Sequence, residues 1–181
     1  MLRAARALAA AALLGGVIVG CSRTVEPQGN ATLEDVRARS GPRPYFVGER
    51  FEELPLTAIL GKAWPVTFIY GDCEVPGGTD GGCAPPLEVQ VWPIEKRPPG
   101  MISAMLECRM VTVRGVRGAF YGSDLDLYVD GVTVVVFADS RARTLRAAEA
   151  LRPVDAERAT ADGLPEASID PEPKLQHCSD P

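Results

Sequence analysis

The stretch Leu125-Asp126-Leu127-Tyr128-Val129-Asp130-Gly131-Val132-Thr133-Val134-Val135-Val136-Phe137-Ala138 decides the fold class. Asp-Gly between two strand-like runs predicts a two-residue hairpin turn, because a type I′ turn needs positive φ at both central positions. In the first run Asp124, Asp126 and Tyr128 share one face, while Leu125, Leu127 and Val129 share the other. This alternation predicts a strand with its polar face toward water. The second run, 132–137, is apolar on both faces and predicts a central strand.

Downstream, Asp139 or Ser140 is placed to cap a helix running to about Leu151, where Arg152-Pro153 stops it. Ala142, Leu145, Ala148 and Leu151 form a stripe suited to packing on a sheet, with Arg141, Arg143 and Arg146 on the outer side. Upstream, Tyr45-Phe46-Val47, 54–60, Val66-Thr67-Phe68-Ile69-Tyr70 and Leu87-Glu88-Val89-Gln90-Val91-Trp92 read as strands. Residues 101–106 read as a short helix. Residues 110–116 together with Ala119-Phe120-Tyr121 read as one further strand, bent at Gly115 or Gly118. The expected fold is an α+β single domain, residues 43–152, with a largely antiparallel sheet, a C-terminal helix packed on it and disulfide-stapled loops.

The chain has 181 residues, 46% of them hydrophobic, which suffices for one ordinary domain. Nineteen Lys and Arg stand against 24 Asp and Glu, a formal charge of −5. That balance leaves no broad basic surface for a phosphate backbone, so nucleic acid is disfavoured as a partner.

The first 20 residues carry Arg3 and Arg6, then an uncharged run of 14 residues, 7–20. This matches a secretory signal peptide, and the run is shorter than the roughly 20 apolar residues a membrane span needs. Ile18-Val19-Gly20-Cys21 resembles the lipobox of bacterial lipoproteins. The resemblance implies cleavage before Cys21, diacylglycerylation of its thiol, and a mature protein held on the cell membrane facing outside the cytoplasm, on the periplasmic or extracellular side. Without residues 1–20, 17 basic and 24 acidic residues remain, a charge of −7. Residues 21–42, punctuated by Pro27, Gly29, Gly41 and Pro42, read as the lipidated cysteine and a flexible spacer. Within the spacer, Thr32-Leu33-Glu34-Asp35 fits a capping box opening a helix over 33–38. Residues 153–181, rich in proline and acidic side chains, read as an extended tail.

Setting Cys21 aside, Cys73, Cys83, Cys108 and Cys178 form an even set, and in an oxidising compartment two disulfides are the expectation. Three pairings are open. Cys73 and Cys83 flank a Gly/Pro loop whose local closure is the easiest, which would leave Cys108 to bind Cys178 and tie the tail down. A zinc site is disfavoured, because the gaps are long and the single histidine, His177, lies in the tail. A redox Cys-x-x-Cys is absent.

No motif assigns catalysis, a metal or a cofactor. Asp124 and Asp126 are a carboxylate pair, but strand alternation already accounts for them. Asp72, Glu74 and Asp80 surround a glycine-rich loop without the EF-hand spacing. Ser123 lacks the Gly-x-Ser-x-Gly elbow, no Ser-x-x-Lys is present, and Gly61-Lys62 lacks the earlier glycine of a P-loop. Tyr45, Phe46, Trp64, Tyr70 and Trp92 fit a core better than a ligand groove. The expected function is therefore a lipid-anchored, non-catalytic binding or interaction domain. Its partners would be the membrane through its anchor and an envelope protein or small molecule. The alternative is a cell-envelope hydrolase using Asp72, Asp124 or Asp126.

Overall fold

The computed structural model describes residues 28–29, 31–72, 84–97, 108–156, 163–167 and 178–179. Among these, the strands are β1 (Gln28–Gly29), β2 (Tyr45–Phe46), β3 (Arg50–Phe51), β4 (Leu54–Leu60), β5 (Val66–Tyr70), β6 (Leu87–Pro93), β7 (Cys108–Val113), β8 (Val116–Tyr121), β9 (Asp124–Val129), β10 (Val132–Ala138) and β11 (Arg152–Pro153). The helices are α1 (Leu33–Arg37) and α2 (Arg141–Ala150). The main sheet has the order β1-β4-β5-β6-β10-β9-β8-β7, with β3 also on β4, and β11 pairs with β2. Every pairing between these named strands is antiparallel except β1 on β4. The architecture is α+β, a mostly antiparallel sheet with a helix packed on it. The expected short helix over 101–106 lies outside the described residues.

The Asp130-Gly131 hairpin joins β9 to β10, pairing Val129 with Val132, and Asp130 has φ of +49°. As the apolar run predicts, β10 lies centrally between β6 and β9, with Val132–Val136 fully buried. Register lines up one core row across five strands: Phe68 opposite Val89, then Val136, Leu125 and Phe120. Burying each such side chain contributes about 1.5–3 kcal/mol.

The segment expected as one bent strand is two strands. Cys108–Val113 and Val116–Tyr121 form a hairpin, Val113 opposite Val116, turning at Arg114-Gly115 with φ of +49° and +90°. Gly118 is an interior position of β8. A Cβ there would meet the Asp126 carbonyl oxygen at 2.4 Å, so close β8–β9 approach requires glycine.

Ser140 caps α2, its hydroxyl accepting from the Arg143 N–H at 3.4 Å, and Leu151 closes the helix. Of the expected stripe, Ala148 and Leu151 are buried, Leu145 is half-buried and Ala142 is exposed, and Thr144 and Ala147 complete the buried face, which is thus rotated from the expected one. Two interactions set that rotation. The Thr144 hydroxyl bonds the Ser123 carbonyl at 2.9 Å, and Arg143 and Arg146 bind Glu52 and Glu53 of the β3–β4 turn.

Residues expected to be spacer belong to the fold from Gln28 onward. β1 pairs with β4, the Thr32/Asp35 capping box forms, and Ala31 and Val36 are buried in the core. The domain also runs past Leu151, because β11 pairs with β2 and Val154 and Leu164 are buried. At the far edge the tail returns. Cys178 is disulfide-bonded to Cys108, and Ser179 bridges β7 through Ser179 N–H to Cys108 O at 3.0 Å and Met110 N–H to Ser179 O at 2.9 Å.

Candidate functional site

The polar face of β9, expected to meet water, is covered. Asp126 is 6% exposed and Tyr128 2%. A carboxylate is buried this far only with compensation, and Arg97, in the loop after β6, supplies it. Its Nη2 lies 3.2 Å from Asp126 Oδ1 and its Nε 3.4 Å from Oδ2. The guanidinium also lies 5.8 Å from the Trp92 ring centre. Ala167 and Cys178 pack over the neighbouring Tyr121, Tyr128, Ala119 and Cys108, completing a second, smaller apolar cluster. Tyr121 and Tyr128 share a hydrogen bond. Burial pushes both hydroxyls up, and the Asp126 charge adds to this.

Asp124, at the start of β9, is half-buried and accepts from the Ser123 hydroxyl at 3.3 Å. Burial raises its carboxyl above the ordinary value, with the Ser123 bond and Arg97 opposing. Asp72 is exposed after β5, which lies three strand positions from β9, or roughly 14 Å at the usual spacing. The three carboxylates named from sequence therefore do not converge on one point. Cys21, Cys73, Cys83, Glu74, Asp80 and His177 lie outside the described residues. Among the expected aromatics, Tyr45, Phe46 and Tyr70 are buried core residues, and the Tyr70 hydroxyl accepts from the Val47 N–H at 3.3 Å. Trp64 and Trp92 are half-exposed.

Among the described residues, two clefts bear on binding. One, about 520 Å³, lies at the β4/β10 end and is lined by Glu53, Leu54, Pro85, Pro86, Asp139 and Arg143, among others. Its arginine is consumed by Glu52, Glu53 and Asp139. Arg146 and Arg143 in turn hold the Glu52 carboxyl below its usual range.

The second cleft, about 190 Å³, follows α1 and is lined by Arg37, Arg39 and Arg43, with Val36, Pro44 and Val154 among the apolar lining and Asp155 as the one lining carboxylate among the described residues. Arg37 Nε donates to the Val154 carbonyl at 3.0 Å, and Arg39 Nη2 donates to the Gly61 carbonyl. Arg39 also lies over Trp64, 5.8 Å from the ring centre. Burial lowers the Arg39 guanidinium from its ordinary value, and its Nε is buried with no hydrogen-bond partner. The acid that acts on Arg39, Asp35, is occupied by the Thr32 N–H at 2.8 Å and the Thr32 hydroxyl at 2.9 Å. The sequence does not single out this cleft, because its arginines fall in a Pro/Gly-punctuated stretch. The available signal was three arginines within seven residues directly after a capping box.

No helix among the described residues is long and apolar enough to cross a membrane, and no group of three or more His, Cys, Asp or Glu among them could hold a metal. No protein family, curated protein or solved structure matches this chain.

Proposed function

We propose that the chain is a lipid-anchored extracytoplasmic lipoprotein whose folded part is a non-catalytic binding or interaction domain. The observation that carries this is Ile18-Val19-Gly20-Cys21 after a basic and then apolar leader. The Cys108–Cys178 disulfide supports it, since a bond closing a sequence separation of 70 residues is at home in an oxidising compartment. The binding reading draws on Asp126. The best placed of the candidate acids is bonded on both oxygens by Arg97, which suits a structural counter-ion rather than a proton carrier. The Cys21 thiol would take the diacylglyceryl group, and two or more acyl chains make membrane attachment stable.

The test is Cys21→Ala in the full chain, followed by labelling with radioactive palmitate and fractionation. Loss of label and accumulation of uncleaved precursor are expected. Unchanged label, or processing at the same bond, would sink the proposal.

A further inference from the structure

We infer that the cleft behind α1 is a binding site for a phosphate-bearing anion. This rests on the folded part being a binding domain, and it does not depend on the lipid anchor. Among the described residues, three arginines, Arg37, Arg39 and Arg43, line one cleft of about 190 Å³ against a single lining carboxylate, Asp155. That local excess of positive charge occurs in a chain whose formal charge is −5.

How the arginines are held is the stronger point. Arg37 and Arg39 are each fixed by a backbone carbonyl, Val154 O and Gly61 O. A carbonyl orients a guanidinium without neutralising it, so the charge stays available while the side chain is already ordered. Asp35, whose charge acts on Arg39, forms no salt bridge with it, its carboxylate accepting instead from the Thr32 N–H and hydroxyl of the α1 capping box. Arg43 makes no hydrogen bond or ion pair with the described residues and stands exposed at the rim. Arg143 and Arg97, by contrast, are both neutralised by carboxylates.

A planar guanidinium presents paired donors that match phosphate oxygens, and partial burial strengthens the attraction. The cleft is smaller than the several hundred Å³ of typical ligand pockets, which suits a phosphate group rather than a whole nucleotide. Such a group is carried by free phosphate and by the headgroup of an anionic phospholipid.

The experiment uses the full chain in micelles of an uncharged detergent. One arm titrates inorganic phosphate at constant ionic strength against chloride by calorimetry. The second dopes the micelles with phosphatidylglycerol, or with zwitterionic phosphatidylcholine as the comparison of zero net charge, and follows tryptophan emission, since Trp64 lies under Arg39. Arg37→Gln and Arg43→Gln are each expected to weaken binding about tenfold or more. Arg109→Gln, the same charge change on exposed β7, should leave it unchanged. Saturable binding in the first arm assigns a free anion, and a response confined to phosphatidylglycerol assigns a headgroup. No binding in either arm, or equal losses in all three variants, overturns the site. Palmitate labelling at Cys21 is read separately, so a failed anion site and a failed anchor are told apart.

Discussion

Arg97 reaches back from the loop after β6 to clasp Asp126 on β9, Nη2 to Oδ1 at 3.2 Å and Nε to Oδ2 at 3.4 Å, across the intervening strand β10. Removing one partner of such a pair leaves the other charge buried. Arg97→Met should destabilise the domain by about 3 kcal/mol, whereas Arg97→Met with Asp126→Leu should recover most of the loss. Urea denaturation of both variants checks this; equal stability of the single and double variants would contradict it.

Arg114 combines an unfavourable backbone with three favourable side-chain contacts. It turns at φ +49° while its guanidinium donates to Leu151 O at 2.6 Å, Glu149 O at 3.3 Å and Gly163 O at 3.2 Å. It thereby satisfies carbonyls that α2 leaves unpaired at its end. Arg114→Ala keeps the strained φ and loses the contacts, so a cost of about 2–3 kcal/mol is expected. Arg114→Gly should cost about 1 kcal/mol less, because glycine adopts positive φ freely. Thermal unfolding of the two variants gives the ordering.

Cys178→Ser removes the closure of the long 108–178 loop. On the chain-entropy model the unfolded state gains freedom equivalent to about 4 kcal/mol. Amide exchange should then accelerate first at Met110, whose N–H is bonded to Ser179 O. Unchanged protection there would mean the Ser179 bridge to β7 holds without its covalent tie.

Asp124 gives the pH dependence a definite sign. Its carboxyl is raised by burial in the folded state, so the folded chain binds more protons than the unfolded chain just above the ordinary value of 3.8. Stability from this group is therefore greatest at low pH and is lost as pH rises from that value through the raised one. Comparing wild type with Asp124→Asn by melting temperature between pH 3.5 and about 7 should show the wild type losing ground as pH rises, and a difference independent of pH would refute the assignment.

Much of the sheet is legible in residue order. Strict alternation in 87–92 and the Asp130-Gly131 turn each carry their structural meaning locally, and β6, β9 and β10 lie where those patterns put them. The Arg114-Gly115 turn is illegible for a physical reason: what offsets the positive φ is a helix end 37 residues away. The same holds for the covered face of β9. Alternation separates polar from apolar side chains but is blind to a distant arginine that lets a carboxylate be buried. Of the candidate sites, the aspartates were visible as residue types, but their separation across the sheet was not. The arginine cleft depends on Val154 and Gly61 carbonyls that no local pattern joins to Arg37 and Arg39.

The pairing of Gln28 with Ala58 changes the reach of the molecule. With Cys21 as the lipidated residue proposed above, only residues 22–27 separate the acyl chains from the first strand. Six residues fully extended span about 20 Å. The domain is then on a short leash rather than a long stalk. On that proposal a partner would have to come to within a few nanometres of the bilayer, and a ligand presented by the membrane itself would lie inside that radius.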